Sequence, residues 1–178
     1  MRAITKTSAF LLLAAMLGAA PAAMSAPPQK KEYLSDAEAD KIREAGYTGP
    51  RIVLFAKFAD DRIKKLQYEF AHMDSADEKR ADRLNSLING YSGCVDDAAD
   101  LVDLGIERQQ DIREGVKVLQ PRLKEFLTYL QDLAANGAER ESYKENLDDA
   151  IEATQDAIKV VEKASKEMAP PPVRRRPS

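Results

Sequence analysis

Apolar residues recur along this chain at alternating steps of three and four, and the longest such row runs from Ala81 to Leu133. Its seats are Ala81, Leu84, Ile88, Tyr91, Val95, Ala98, Val102 and Gly105, then Gln109, Ile112, Val116, Leu119, Leu123, Phe126, Leu130 and Leu133. This spacing puts the side chains along one side of an α-helix, as in a bundle or coiled coil, whereas a strand would need period two. A second row precedes it at Ile52, Phe55, Ala59, Ile63, Leu66, Phe70 and Met73, and a third follows from Tyr143 through Leu147, Ala150, Thr154, Ala157, Val161 and Ala164 to Met168. Val53, Leu54 and Phe58 give the second row an extra apolar face at its beginning, which needs a cover. The nearest cover is a short helix from Ser35 to Ala45 with Ala39, Ile42 and Ala45 on one side.

The punctuation between rows divides them. Ser35 and Glu38 have the spacing of a capping box, and Gly46 suits the left-handed closing position of the short helix. Pro50 suits a first helical residue, where no N–H is needed. The pattern lapses from Asp74 to Arg80, where Ser75 and Glu78 repeat the capping spacing, and again after Gly105, before an Asp111 to Glu114 start. Asn136-Gly137 is the strongest stop, since both residues tolerate positive φ.

One stretch sets local chemistry against periodicity. Asn89-Gly-Tyr-Ser-Gly93 reads locally as a turn, and glycine inside a helix costs about 1 kcal/mol against alanine. Yet the apolar row keeps phase from Ile88 through Tyr91 to Val95, which a loop has no reason to do. A helix running through, weakened or kinked at the two glycines, is therefore favoured. The predicted fold is all-α: an antiparallel up-and-down bundle with four helices, favoured over an elongated three-helix coil, plus the short N-terminal helix. Pro121 should bend the third long helix, unless it marks the first turn of a shorter one. In architecture this resembles periplasmic four-helix bundles.

The ends of the chain suggest where it works. Residues 1–26 have Arg2 and Lys6 in front, an apolar run from Ala9 to Leu17 and small residues behind, the layout of a secretory signal peptide. Cleavage is expected after Ala22 or around Ser25 and Ala26; the apolar run is short of a membrane span, which makes a retained anchor the runner-up. A loose lead-in over 27–34, one bundle domain over 35–169 and a disordered Pro/Arg-rich tail over 170–178 complete the expected organisation. Export to the periplasm or the medium follows from the signal.

Charge and chemistry narrow the function by subtraction. Without its first 26 residues the chain carries 25 basic against 30 acidic side chains, a net of about −5 that argues against nucleic-acid binding. Arg174, Arg175 and Arg176 offer a short basic clip for an acidic partner such as anionic headgroups, a cell-wall polymer or an acidic protein. The single cysteine, Cys94, cannot form an internal bridge; it reads as a small, partly buried apolar residue or as an intermolecular disulfide. His72 stands in a Glu-x-x-His spacing with Glu69, but a chain with one histidine cannot supply both halves of a di-iron site.

Asp96, Asp100 and Asp103 share a helix face and are weak metal candidates against the plainer reading of a solvated acidic face, because calcium prefers a loop with six to eight oxygens. The under-filled seat at Gln109 beside Gly105 is the one place along the row that would admit a ligand. No motif carries catalysis and no cofactor is implied. The expectation is an exported helical bundle acting by contact, structural or interactive, with an envelope protein or polymer and with homo-oligomers allowed; a small-ligand or metal carrier is the alternative.

Overall fold

The computed structural model describes residues 32–73 and 77–168. Over these the chain is helical, with no strand among the described residues, and its helices pack together around one core. The expected signal peptide, most of the lead-in, the Ser75 cap and the tail with Arg174, Arg175 and Arg176 lie outside the described residues. A short helix α1 (Asp36–Glu44) precedes four long ones, α2 (Thr48–Ala71), α3 (Arg80–Glu107), α4 (Arg113–Asn136) and α5 (Lys144–Glu167).

The capping box at α1 is formed: the Glu38 N–H donates to Ser35 Oγ at 3.3 Å, and the Ser35 N–H donates to Glu38 Oε2 at 2.9 Å. Gly46 follows with φ of +47° and turns the chain into α2. That helix starts two residues before Pro50, whose missing N–H still falls within the first turn, where no intrahelical acceptor exists. Helix α3 runs unbroken through Asn89 to Gly93, and α4 through the exposed Pro121, which is therefore not a helix start.

The apolar rows become the core. Ile52, Leu66, Leu84, Ile88, Tyr91, Leu119, Leu123, Leu130 and Leu147 are all shut off from solvent. Met73 departs from its row: it lies beyond the end of α2 and is 57% exposed. Two glycines also differ from expectation. Gly137 ends α4 in an extended conformation, φ −65° and ψ 135°, and not a left-handed one. Its lack of a side chain serves close approach, since a Cβ there would run into the Tyr143 hydroxyl. Gln109 is not a core seat; it is exposed, has φ of +53°, and turns the chain out of α3. Gly105 is likewise not under-filled, because the Ile112 side chain occupies the space a Cβ would take.

Contacts set the relative directions. Arg83 on α3 meets Glu69 on α2, and Thr48 at the start of α2 donates to Gln110 just past α3, so α2 and α3 are antiparallel. Asn146 meets Asn85 and Tyr91 meets Thr154, so α3 and α5 run parallel. Gly115 packs on Ile52 and Arg122 reaches Asp60 at 2.8 Å, so α2 and α4 are parallel as well. The principal contacts are α2 with α3, α3 with α5, α5 with α4, and α4 with α2, whereas α3 and α4 barely touch. Direction alternates along the chain, but two of the four neighbouring pairs run parallel and not antiparallel as expected, because the connection from α3 to α4 crosses the diagonal of the bundle. Ile112, 1% exposed, seals that crossing from within.

Candidate functional site

Arg62 lies among charged residues, Asp60 and Asp61 before it and Lys64 and Lys65 after it. It is 8% exposed and forms the centre of a polar clasp between α1, α2 and α3. Its two terminal nitrogens donate to the two Glu38 oxygens, Nη2 to Oε2 at 2.8 Å, in the forked geometry that makes arginine–carboxylate pairs strong. Nη2 also donates to the Tyr33 carbonyl at 3.1 Å and Nη1 to the Phe58 carbonyl at 3.3 Å. The Tyr33 hydroxyl donates to Asp97 on α3, which is nearly buried.

One of the two glycines, Gly93, makes room for this. The Arg62 stem lies 3.6 Å from where a Gly90 Cβ would stand, and the Tyr33 ring 2.6 Å from where a Gly93 Cβ would stand. Gly90, Gly93 and Asp97 recur at steps of three and four, so they share one face of α3. The close approach of Tyr33 explains the glycine at 93, whereas the space at 90 would accept a Cβ.

The electrostatics are those of a lock. The hydrogen bond from Arg62 holds the Glu38 carboxyl down to about 2. Burial, then the bond to Asp97, pushes the Tyr33 phenol far above its ordinary value and keeps it a donor. Cys94 sits beneath the clasp with no solvent exposure; burial pushes its thiol up to about 12, partly opposed by the Arg62 charge. A protonated, enclosed thiol is neither a nucleophile nor a disulfide partner unless the α1 segment lifts. In the native protein Cys94 is expected to react with iodoacetamide at pH 8 at least about a hundred times slower than in urea. Intact-mass measurement follows the reaction; rapid labelling without denaturant would show that α1 does not cover the thiol.

The other sequence candidates fall on the surface. Asp96, Asp100 and Asp103 are exposed along α3, and among the described residues no group of three or more His, Cys, Asp or Glu side chains stands close enough to hold a metal ion. His72 is exposed just past α2, its Nδ1 2.9 Å from the Tyr68 carbonyl, while Glu69 is engaged with Arg80 and Arg83. No described helix is long and apolar enough to cross a membrane.

A surface groove of about 530 Å³ lies between the C-terminal half of α2 and the start of α3. Tyr68, Glu69, Ser86 and Leu87 line it together with the stems of Lys64, Lys65 and Arg83. Tyr68 is 62% exposed and its ring is stacked on His72 with centroids 4.1 Å apart. Its cations are held by neighbours, Lys64 by Asp60, Lys65 by Asp61, and Arg83 by Glu69 and Asp77. Exposed pairs of this kind contribute about 0–1 kcal/mol and exchange readily for another carboxylate. Sequence reading missed the groove because Tyr68 lies off the apolar row of α2, and nothing local says that a neighbouring helix will leave it bare. Comparison with protein-family models, curated proteins and solved structures finds no match for this chain.

Proposed function

We propose that the protein is an exported up-and-down four-helix bundle that acts by contact in the cell envelope, without catalysis. The partner is a protein segment that presents an apolar or aromatic side chain flanked by carboxylates. The observation that carries this reading is the groove beside Tyr68. It joins an exposed aromatic ring and a leucine to three lysine and arginine stems and one carboxylate, Glu69, which is paired with Arg83, on a chain whose net charge is negative. Aromatic and arginine side chains dominate the energetics of protein interfaces, and the loosely paired cations offer charge complementarity at the rim.

Three polar pairs of the interior support the same reading by being engaged with each other. Arg62 with Glu38, Tyr33 with Asp97, and Tyr91 with Thr154 bond one another across helices. The test is site-specific photo-crosslinking in the native envelope, with a photoreactive phenylalanine in place of Tyr68 or of the exposed Lys117 on α4. A discrete, protease-sensitive adduct is expected from position 68 and not from 117. No adduct from 68, an identical pattern from both positions, or a protease-resistant polymer adduct would each overturn the protein-contact assignment.

A further inference from the structure

A second concave site lies at the other end of α2 from Tyr68, about 25 Å away along the helix at 1.5 Å per residue. It is a cleft of about 260 Å³ where Ile42 of α1 and Arg51 and Phe55 of α2 face Asp100, Leu101 and Leu104 of α3. Arg51 Nε is buried there with no hydrogen-bond partner. Asp100, across the same cleft, has no bonded or ion-paired partner among the described residues. A cation and an anion thus line one apolar cleft without meeting each other.

Buried guanidinium nitrogens are seldom left without an acceptor. One other is found among the described residues, Nη2 of Arg80, and it has an explanation: that guanidinium lies over the Phe70 ring, 5.4 Å from its centre, while Nε is bonded to Glu139 and Nη1 to the Glu69 carbonyl. Arg51 has no such ring. Its Nε instead borders a cleft with room for a small molecule.

We infer that the cleft between α1, α2 and α3 binds a small zwitterion of the α-amino-acid class with an apolar side chain. The ligand's carboxylate accepts from Arg51, its ammonium meets Asp100, and its side chain lies among Ile42, Phe55, Leu101 and Leu104. The charges select this class over its halves. A simple carboxylate would satisfy Arg51 but bring a second negative charge toward Asp100 and the neighbouring Asp97, whose carboxylate already accepts from Tyr33. A simple amine would leave Arg51 Nε as it is. Ligand sites of this kind are mostly apolar, with a few placed polar groups that fix orientation.

The inference goes beyond the contact reading and is tested apart from it, since none of its residues lines the groove at Tyr68. The experiment is a two-dimensional amide NMR titration of the full chain with L-leucine and L-phenylalanine. The comparison probes are 4-methylpentanoate, which lacks the ammonium, and 3-methylbutylamine, which lacks the carboxylate. Saturable shifts confined to the amides around Ile42, Arg51, Phe55 and Asp100 to Leu104 are expected with at least one amino acid, half-maximal below about 1 mM, and at least about tenfold weaker with either half-molecule. Arg51→Gln and Asp100→Asn should each abolish the shifts while leaving the far-UV circular dichroism and melting temperature unchanged, and Lys57→Gln should keep them. Absence of saturable shifts with both amino acids, equal response to 4-methylpentanoate, or survival of binding in both variants would overturn the inference.

Discussion

Replacing Arg62 by alanine is expected to remove about 3–5 kcal/mol of stability, a large part of the 5–15 kcal/mol that a domain of this size has. The loss follows from what is stranded. Glu38 would keep only its Ser35 partners, the Tyr33 and Phe58 carbonyls would lose a donor, and the space the Arg62 stem fills beside Gly90 would be empty. Urea denaturation gives the number, and faster alkylation of Cys94 in the same variant reports that α1 has loosened. An Arg62→Met, Glu38→Gln double variant should regain much of the loss, because removing both partners of a buried pair is far milder than removing one. A loss below about 1 kcal/mol in Arg62→Ala would show that α1 is held by its apolar contacts instead.

The same pair sets an acid limit. Glu38 titrates near 2 when folded, against an ordinary value of 4.5, so its contribution is complete above about pH 4.5 and disappears as pH falls toward 2. Because the pair keeps some solvent contact, the effect is about 1–2 kcal/mol, and Glu38→Gln should flatten that limb of the stability profile.

Gly115→Ala is expected to destabilise the protein by about 1–3 kcal/mol, although an alanine inside an ordinary helix gains about 1 kcal/mol over glycine. A Cβ at Gly115 would stand 2.9 Å from Ile52 Cβ and 3.0 Å from the Gly49 carbonyl oxygen, and the latter is backbone that cannot rotate away. The substitution would therefore force α2 and α4 apart at their N-terminal ends. Gly90→Ala is the matched control: its nearest neighbours are Arg62 side-chain atoms at 3.6 Å, an ordinary contact, so it should gain about 0.5–1 kcal/mol. Thermal melts of the two variants should move in opposite directions. Movement in the same direction would show that helix propensity, and not close approach, governs both sites.

These glycines show what a sequence can and cannot disclose. The phase of the apolar row carries a helix through Asn89 to Gly93, because periodicity is a property of one segment and local turn propensity is worth less than the packing of that face. Why a glycine stands at 93 is not a local matter, since it answers to Tyr33 from a segment far along the chain, and nothing in the structure requires the one at 90. The available signal was Gly93 one turn before Asp97 on the same helix face, a gap beside an acceptor that asks what fills it. Arg62 gave no signal of its own, since its neighbours are charged and its burial depends on α1 folding over it. The seat at Gln109 misled for a related reason. Counting by threes and fours continues arithmetically past a helix end, whereas the chain had already turned and brought Ile112 into the space at Gly105. The aromatic groove at Tyr68 and the cleft at Arg51 depend on which faces neighbouring helices leave uncovered, so periodicity could not place them.

The diagonal passage from α3 to α4 divides the chain into two hairpins, α2 with α3 and α4 with α5, and the division orders events during synthesis. Every member of the clasp lies between Tyr33 and Asp97, so the clasp can close on a nascent chain that has emerged no further than the middle of α3. The Tyr91 hydroxyl, by contrast, must wait for Thr154, 63 positions later. A chain made from its N-terminus can therefore close the clasp over one side of its thiol before the second hairpin exists.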